Sequence, residues 1–194
     1  QSALPWRAAV AIVSQICLGM QRFHRAGVVH RDLKTENIIL TTNARKGRKL
    51  VAKVLDFGLA KQEELVRAGK RHTPYQYPLG TALFSAPEQL ADGRDAQPAS
   101  DVYSIGLILY ECLTRKGLYK QQHPVSALLE RKDPPLGDTS PKDIPQALWN
   151  LLRLTLEFQP DRRPKDATAF LQALRNFTHA QQRPSRVPRR RKKG

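Results

Sequence analysis

Between Val102 and Leu113 the chain is apolar at nearly every position, interrupted only by Ser104, Gly106 and Glu111. A helix without a polar face is buried on most sides, so this segment, entered after Pro98, belongs inside a core. A second helix is amphipathic. Trp6, Val10, Val13, Cys17 and Met20 recur at three- and four-residue spacing, with Ile12, Ile16 and Phe23 beside them. Pro5 leads into it and Gly27 stops it, after which Val28 and Val29 begin a short extended piece. Residues 38–40 and 50–55 read as two short strands around a basic loop, Thr41 to Lys49, that reads as a solvated hairpin tip. From Asp56 to Glu88 periodicity is lost and Pro74, Pro78 and Pro87 break regular structure. A stretch of that length inside a compact domain is usually functional. Three more helices are expected near 124–131, 145–157 and 165–177, with Pro145 and Pro164 at or near first-turn positions. The expectation is a mainly α fold with a small β element, compact over 1–178 and followed by a disordered basic tail over 179–194.

A chain of 194 residues with 40% hydrophobic content has enough material for one real core. Its 33 Lys and Arg against 17 Asp and Glu give a formal net charge of +16, and residues 183–194 hold seven of those cations and no acid. Such a balance points to acidic partners without naming them. The run Arg189 to Lys193 fits a nuclear-import signal read by an import receptor, an RNA or membrane-surface tether, or a solubilising end. No aromatic residue interleaves with it, so stacking on bases is not supported. Cys17 and Cys112 are too few for a disulfide scaffold or a Cys-rich zinc module and read as core residues in a reducing compartment. No apolar run approaches the roughly 20 residues that cross a bilayer, and no signal peptide is evident. These features suggest an intracellular location, cytoplasmic or nuclear. The first residue is Gln1 rather than Met, which suggests a piece of something longer.

Two fragments carry chemistry. His30-Arg31-Asp32-Leu33-Lys34-Thr35-Glu36-Asn37 places an ammonium two residues after a carboxylate and a carboxamide five residues after it. Asp56-Phe57-Gly58 follows at the end of an apolar strand, 24 residues beyond Asp32. A carboxylate and an amide are hard oxygen ligands of the kind Mg²⁺ takes while sharing phosphate oxygens. A further carboxylate can orient a hydroxyl, and a Lys balances charge on a phosphoryl group. The combination points to metal-assisted phosphoryl transfer.

In these motifs the chain resembles the eukaryotic-type Ser/Thr protein kinase family, specifically the large C-terminal lobe of its catalytic domain. The resemblance spans roughly residues 6–177. It implies a kinase-like C-lobe, a helical lobe carrying the catalytic loop and activation segment, that acts on protein substrates with ATP and Mg²⁺. Asp32 would accept or orient the hydroxyl proton, Lys34 would contact the transferred phosphate, and Asn37 and Asp56 would bind the metal. Ile39 would floor the adenine, and Phe57, beside Gly58, would pack on His30 and set active or inactive geometry. Ala86-Pro87-Glu88 closes the segment that Asp56 opens. Gly80-Thr81 before it, like Lys34, resembles the Ser/Thr-specific branch, in which the Thr bonds the catalytic Asp and Lys. Asp101, in D-x-x-S-x-G, matches the anchor of the catalytic-loop backbone, and Arg163, in D-R-R-P, matches the partner of Glu88. Arg31 resembles the Arg that grips an activating phosphate, for which Thr73 or Tyr77 is the candidate acceptor. Glu36 resembles the Glu by which basophilic kinases contact an Arg before the acceptor.

The family pattern is entered midway. The 194 residues contain no G-x-G-x-x-G loop, and the strand Lys that holds the α/β-phosphates, its helix Glu partner and the adenine hinge are also missing. A C-lobe alone would bind Mg-ATP poorly, with its cleft open to water. The expectation is therefore a kinase fragment whose N-terminal lobe is supplied in cis. The alternative is a catalytically silent, pseudokinase-like binding module. Small-molecule phosphotransferases with this fold generally lack the platform that Gly80-Thr81 and Ala86-Pro87-Glu88 form.

Overall fold

A computed structural model describes residues 3–43, 49–55, 81–92, 95–120, 123–131 and 135–182. The apolar segment forms the middle of helix α3 (Pro98–Thr114), in which every residue from Ala99 to Leu109 is buried. Around it pack α1 (Trp6–Arg25), α5 (Gln146–Thr155) and α6 (Ala167–Gln182). Helices α1 and α6 lie antiparallel. The rings of Trp6 and Phe177 meet edge-on at 5.3 Å at one end, and the Ala167 N–H donates to His24 Nδ1 at 3.1 Å at the other.

Helix α1 ends in a Schellman motif. Gly27 takes φ +74°, its N–H donates to the His24 carbonyl, and the Val28 N–H reaches back to the Phe23 carbonyl. Val28 is thus part of the helix stop, and the extended piece expected there is no strand. Strands β1 (Ile38–Asn43) and β2 (Lys49–Val54) pair antiparallel, with Ile38 opposite Val54 and Asn43 opposite Lys49. Here β1 continues three residues beyond the expected strand, because Thr41 and Thr42, both β-branched, pair with Val51 and Leu50. Gln15 of α1 fixes the hairpin's height: its amide donates to the Leu50 carbonyl and accepts from the Ala52 N–H.

A five-residue helix, α2 (Pro87–Ala91), begins at the last two residues of the stretch expected to be irregular. Pro87 occupies its first turn, where a missing N–H is tolerated, so this proline starts a helix rather than breaking one. Helix α4 spans Pro124–Glu130. Helix α6 begins at Ala167, two residues later than expected, because the Asp166 carboxylate caps the Ala169 N–H at 2.8 Å. It runs to Gln182, four residues past the boundary expected at 178, with Phe177 buried against the core. Residues 183–194, which hold most of the basic tail, lie outside the described residues.

Gly106 of α3 faces the end of α5, where an added Cβ would collide with Thr155 Oγ1 and crowd the Leu156 side chain. Gly106→Ala gains about 1 kcal/mol of helix propensity but overpacks a site with no room to yield. A net loss of about 2 kcal/mol is expected, read as a lower urea midpoint at unchanged slope. Burial raises the pKa of both thiols, that of Cys17 well above its ordinary value and that of Cys112 to about 11, so both are protonated at neutral pH. No described helix is long and apolar enough to cross a membrane.

Candidate active site

The loop from His30 to Asn37 is built on one buried carboxylate. Asp101 Oδ2 accepts the His30 N–H at 2.8 Å and Oδ1 accepts the Arg31 N–H at 3.0 Å. Between them they hold Arg31 at φ +68°, a left-handed conformation that costs a non-glycine residue about 1–2 kcal/mol. His24 completes the anchor. Its Nδ1 accepts from Ala167, so the N–H is on Nε2 and donates to Asp101 Oδ2 at 2.8 Å. His30 is oriented in the same way. Its Nδ1 accepts the Asp32 N–H at 3.3 Å, and Nε2 donates to the Leu55 carbonyl at 3.0 Å.

Beyond that turn the side chains converge. Lys34 Nζ lies 3.4 Å from Asp32 Oδ2. Asn37, buried, donates its amide to the Asp32 carbonyl at 2.8 Å and toward Asp32 Oδ2 at 3.5 Å. Both of those partners are acceptors, which fixes the amide flip and turns Asn37 Oδ1 away, as a hard oxygen available to a cation. The Leu55 N–H donates to the Asn37 carbonyl at 2.8 Å, so the strand leading to the Asp-Phe-Gly fragment is tied to the loop from both sides. Among the described residues no cluster of three His, Cys, Asp or Glu could hold a metal ion. Asn37 is the expected ligand that can be placed. Asp56, Phe57, Gly58, Thr73 and Tyr77 lie outside the described residues, as does the Thr81 side chain. Ile39 is 42% exposed, on the hairpin face opposite the core-facing Ile38. Arg31 Nε is buried without a hydrogen-bond partner among the described residues.

The Glu88–Arg163 pair is a two-pronged ion pair, with Nη1 to Oε1 at 2.8 Å and Nη2 to Oε2 at 2.9 Å. Ser100 adds a 2.6 Å hydrogen bond to Glu88 Oε1. Several residues to which the sequence assigned no role connect these parts. Gln89 donates to the Arg31 carbonyl and accepts the Ala86 N–H, joining α2 to the catalytic loop. Ser104, one turn after Ser100, donates to the Phe84 carbonyl at 2.8 Å. Glu111 shares a cavity of about 310 Å³ with Thr35, Glu36, Leu83, Phe84 and Tyr119. Burial, and then the neighbouring Glu36 charge, raises the Glu111 pKa, while a hydrogen bond from Thr35 opposes the shift. Its signal in the sequence is its place as the one charge in the apolar run from Val102 to Leu113.

A family model described as "Protein kinase domain" matches residues 1–176. The chain is 34% identical over 185 residues to the serine/threonine-protein kinase pkn3 of Myxococcus xanthus, covering 93% of this chain and 33% of that protein. It is 33% identical over 188 residues to the serine/threonine-protein kinase PknA of Mycobacterium tuberculosis, covering 95% and 41%. With the serine/threonine-protein kinase Pkn1 of Myxococcus xanthus it shares 35% over 170 residues, covering 86% and 24%. The chain thus spans well under half the length of these relatives.

Proposed function

The chain belongs to the protein kinase family, and from that premise we propose that it is the C-terminal lobe of a Ser/Thr protein kinase that transfers the γ-phosphoryl group of ATP to protein hydroxyls. The observation that carries this reading is the convergence of Asp32, Lys34 and Asn37 on a turn held by Asp101. Asp32 takes the proton of the substrate hydroxyl as its oxygen bonds to the γ-phosphorus and the bond to the ADP oxygen breaks. Lys34, beside Asp32, offsets negative charge on the phosphoryl oxygens. Mg²⁺, when bound, neutralises charge on the phosphates, and Asn37 Oδ1 and Asp56 are the groups that would hold it. Exposed Ile39 offers the adenine an apolar floor. The remaining nucleotide contacts, a glycine-rich loop and a strand Lys, are not among these 194 residues, so the reading requires a small lobe in cis.

The test is transfer from labelled ATP to a Ser/Thr peptide by the protein carrying both lobes, with and without Mg²⁺. Asp56→Asn is expected to reduce transfer by about a hundredfold or more while the fold, followed by circular dichroism, is kept. Near-normal activity of that variant with Mg²⁺ would remove the metal assignment. A wild-type protein that transfers nothing would favour the binding-module alternative.

A further inference from the structure

Arg131, at the end of α4, is 5% exposed and has no carboxylate in hydrogen-bond contact among the described residues. Its guanidinium instead donates to backbone carbonyls: Ala82 at 2.7 Å, Leu83 at 3.4 Å, Ser85 at 3.0 Å and, within its own helix, Ala127 at 3.1 Å. The guanidinium carbon stacks 3.7 Å above the Tyr119 ring, and the Tyr119 hydroxyl is 2.8 Å from that of Tyr103 in the core. Burial raises the pKa of both phenols, so neither is a phenolate that could balance the cation. The adjacent Glu130 turns its carboxylate to the Lys120 N–H, so its charge favours the Arg131 cation only from a distance, while burial disfavours it more. For stability alone an apolar side chain of similar volume would serve as well or better at such a position. What an apolar side chain cannot do is bind three carbonyls of an irregular segment.

That segment, 82–85, has every carbonyl held from the side: Phe84 by Ser104 and the other three by Arg131. Leu83, Phe84 and Tyr119 are also walls of the cavity that contains Glu36 and Glu111. Arg131 lies behind those walls and does not line the cavity. Two carboxylates facing one cavity favour a basic side chain as occupant.

We propose that Arg131 is a positioning residue for the protein substrate, fixing Leu83, Phe84 and Tyr119 around Glu36 and Glu111 and so setting affinity for a peptide that carries arginine. The inference rests on the kinase reading for its substrate and on the hydrogen bonds above for its geometry. Two readouts on the full chain test it: fluorescence anisotropy with a labelled heptapeptide containing two arginines and a serine, and amide hydrogen exchange. In Arg131→Met, peptide affinity is expected to fall about tenfold or more, and amides 82–86 to exchange about tenfold faster. The amides of Ile12 to Cys17 in α1 should keep their protection, which a general loss of stability would not allow. Leu129→Ala, at a 76% exposed position of the same helix, should change neither readout. If Arg131→Met does not fold, Arg131→Lys carries the test. It keeps the charge but cannot fork, and an affinity loss of about threefold is expected. Wild-type affinity or wild-type exchange at 82–86 in the variant that folds would overturn the proposal, and so would a wild-type chain that does not bind the peptide. Neither readout involves phosphoryl transfer. A protein that binds the peptide but transfers no phosphate would therefore overturn the kinase reading and leave this one standing.

Discussion

Asp32→Asn is expected to lower phosphoryl transfer by about a thousandfold while the protein stays folded, because the change is nearly isosteric and removes only the charge and the proton acceptor. A positioned general base contributes about 10²–10⁴ in rate, which sets the scale of the loss. The loop should survive. Its shape is set by bonds that Asp32's carboxylate does not make: Asp101 to the His30 and Arg31 amides, and the Asn37 amide to the Asp32 carbonyl. The Lys34 pairing at 3.4 Å is lost, at a cost of about 1 kcal/mol or less. The loss should therefore appear in kcat, with KM for ATP within about twofold of wild type, since Asp32 touches the transferred group only as transfer occurs. A variant that retained a tenth of the wild-type kcat would remove Asp32 from the role of base. Equal losses in activity and in urea midpoint would make it a structural residue.

The two elements most readable in the sequence were those whose signal is local. The apolar run of α3 and the three- and four-residue spacing of α1 each announce a buried face, and both helices form where expected. The catalytic loop is equally local: eight contiguous residues contain Asp32, Lys34 and Asn37, and a turn suffices to bring them together. What sequence reasoning missed lies in pairings across long stretches of chain. Nothing around His24 signals its role, which appears only when Asp101, 77 residues later, folds back onto it. No local signal in the sequence marks Arg131 as buried, because its burial depends on carbonyls 46–49 residues earlier. Helix α2 is too short to show a period, and Pro87 signals a break as readily as a start. The Glu88–Arg163 pair could be anticipated only through the family resemblance, since nothing in the spacing of 75 residues requires it.

That pair is where the second large effect is expected, and it falls on stability. Arg163 is buried and uses all five of its donors: two on Glu88, and one each on the carbonyls of Ala99, Glu157 and Phe158. Its guanidinium also lies 4.7 Å from the centre of the Tyr103 ring. The carbonyls of Glu157 and Phe158 lie just past the end of α5, where no helical N–H follows to satisfy them. Arg163→Ala would leave a largely buried carboxylate with only the Ser100 hydroxyl and would strip the side-chain donor from the Glu157 and Phe158 carbonyls. Breaking a buried pair in this way costs about 3–5 kcal/mol, a large fraction of the roughly 5–15 kcal/mol that holds a domain folded. Glu88→Gln should cost less, about 2 kcal/mol, because the amide oxygen still accepts one donor of the fork. The double variant should be less destabilised than the sum of the two, since the stranded charge is gone, yet less stable than Glu88→Gln alone, since the carbonyls remain without their donor. Arg163→Lys should not restore the wild-type midpoint, because one ammonium cannot span Glu88 and both carbonyls beyond α5. Denaturation of the four variants decides the point. Strict additivity would mean that Arg163 and Glu88 act independently, and an unchanged midpoint in Arg163→Ala would mean that this contact does not hold α2 to the core.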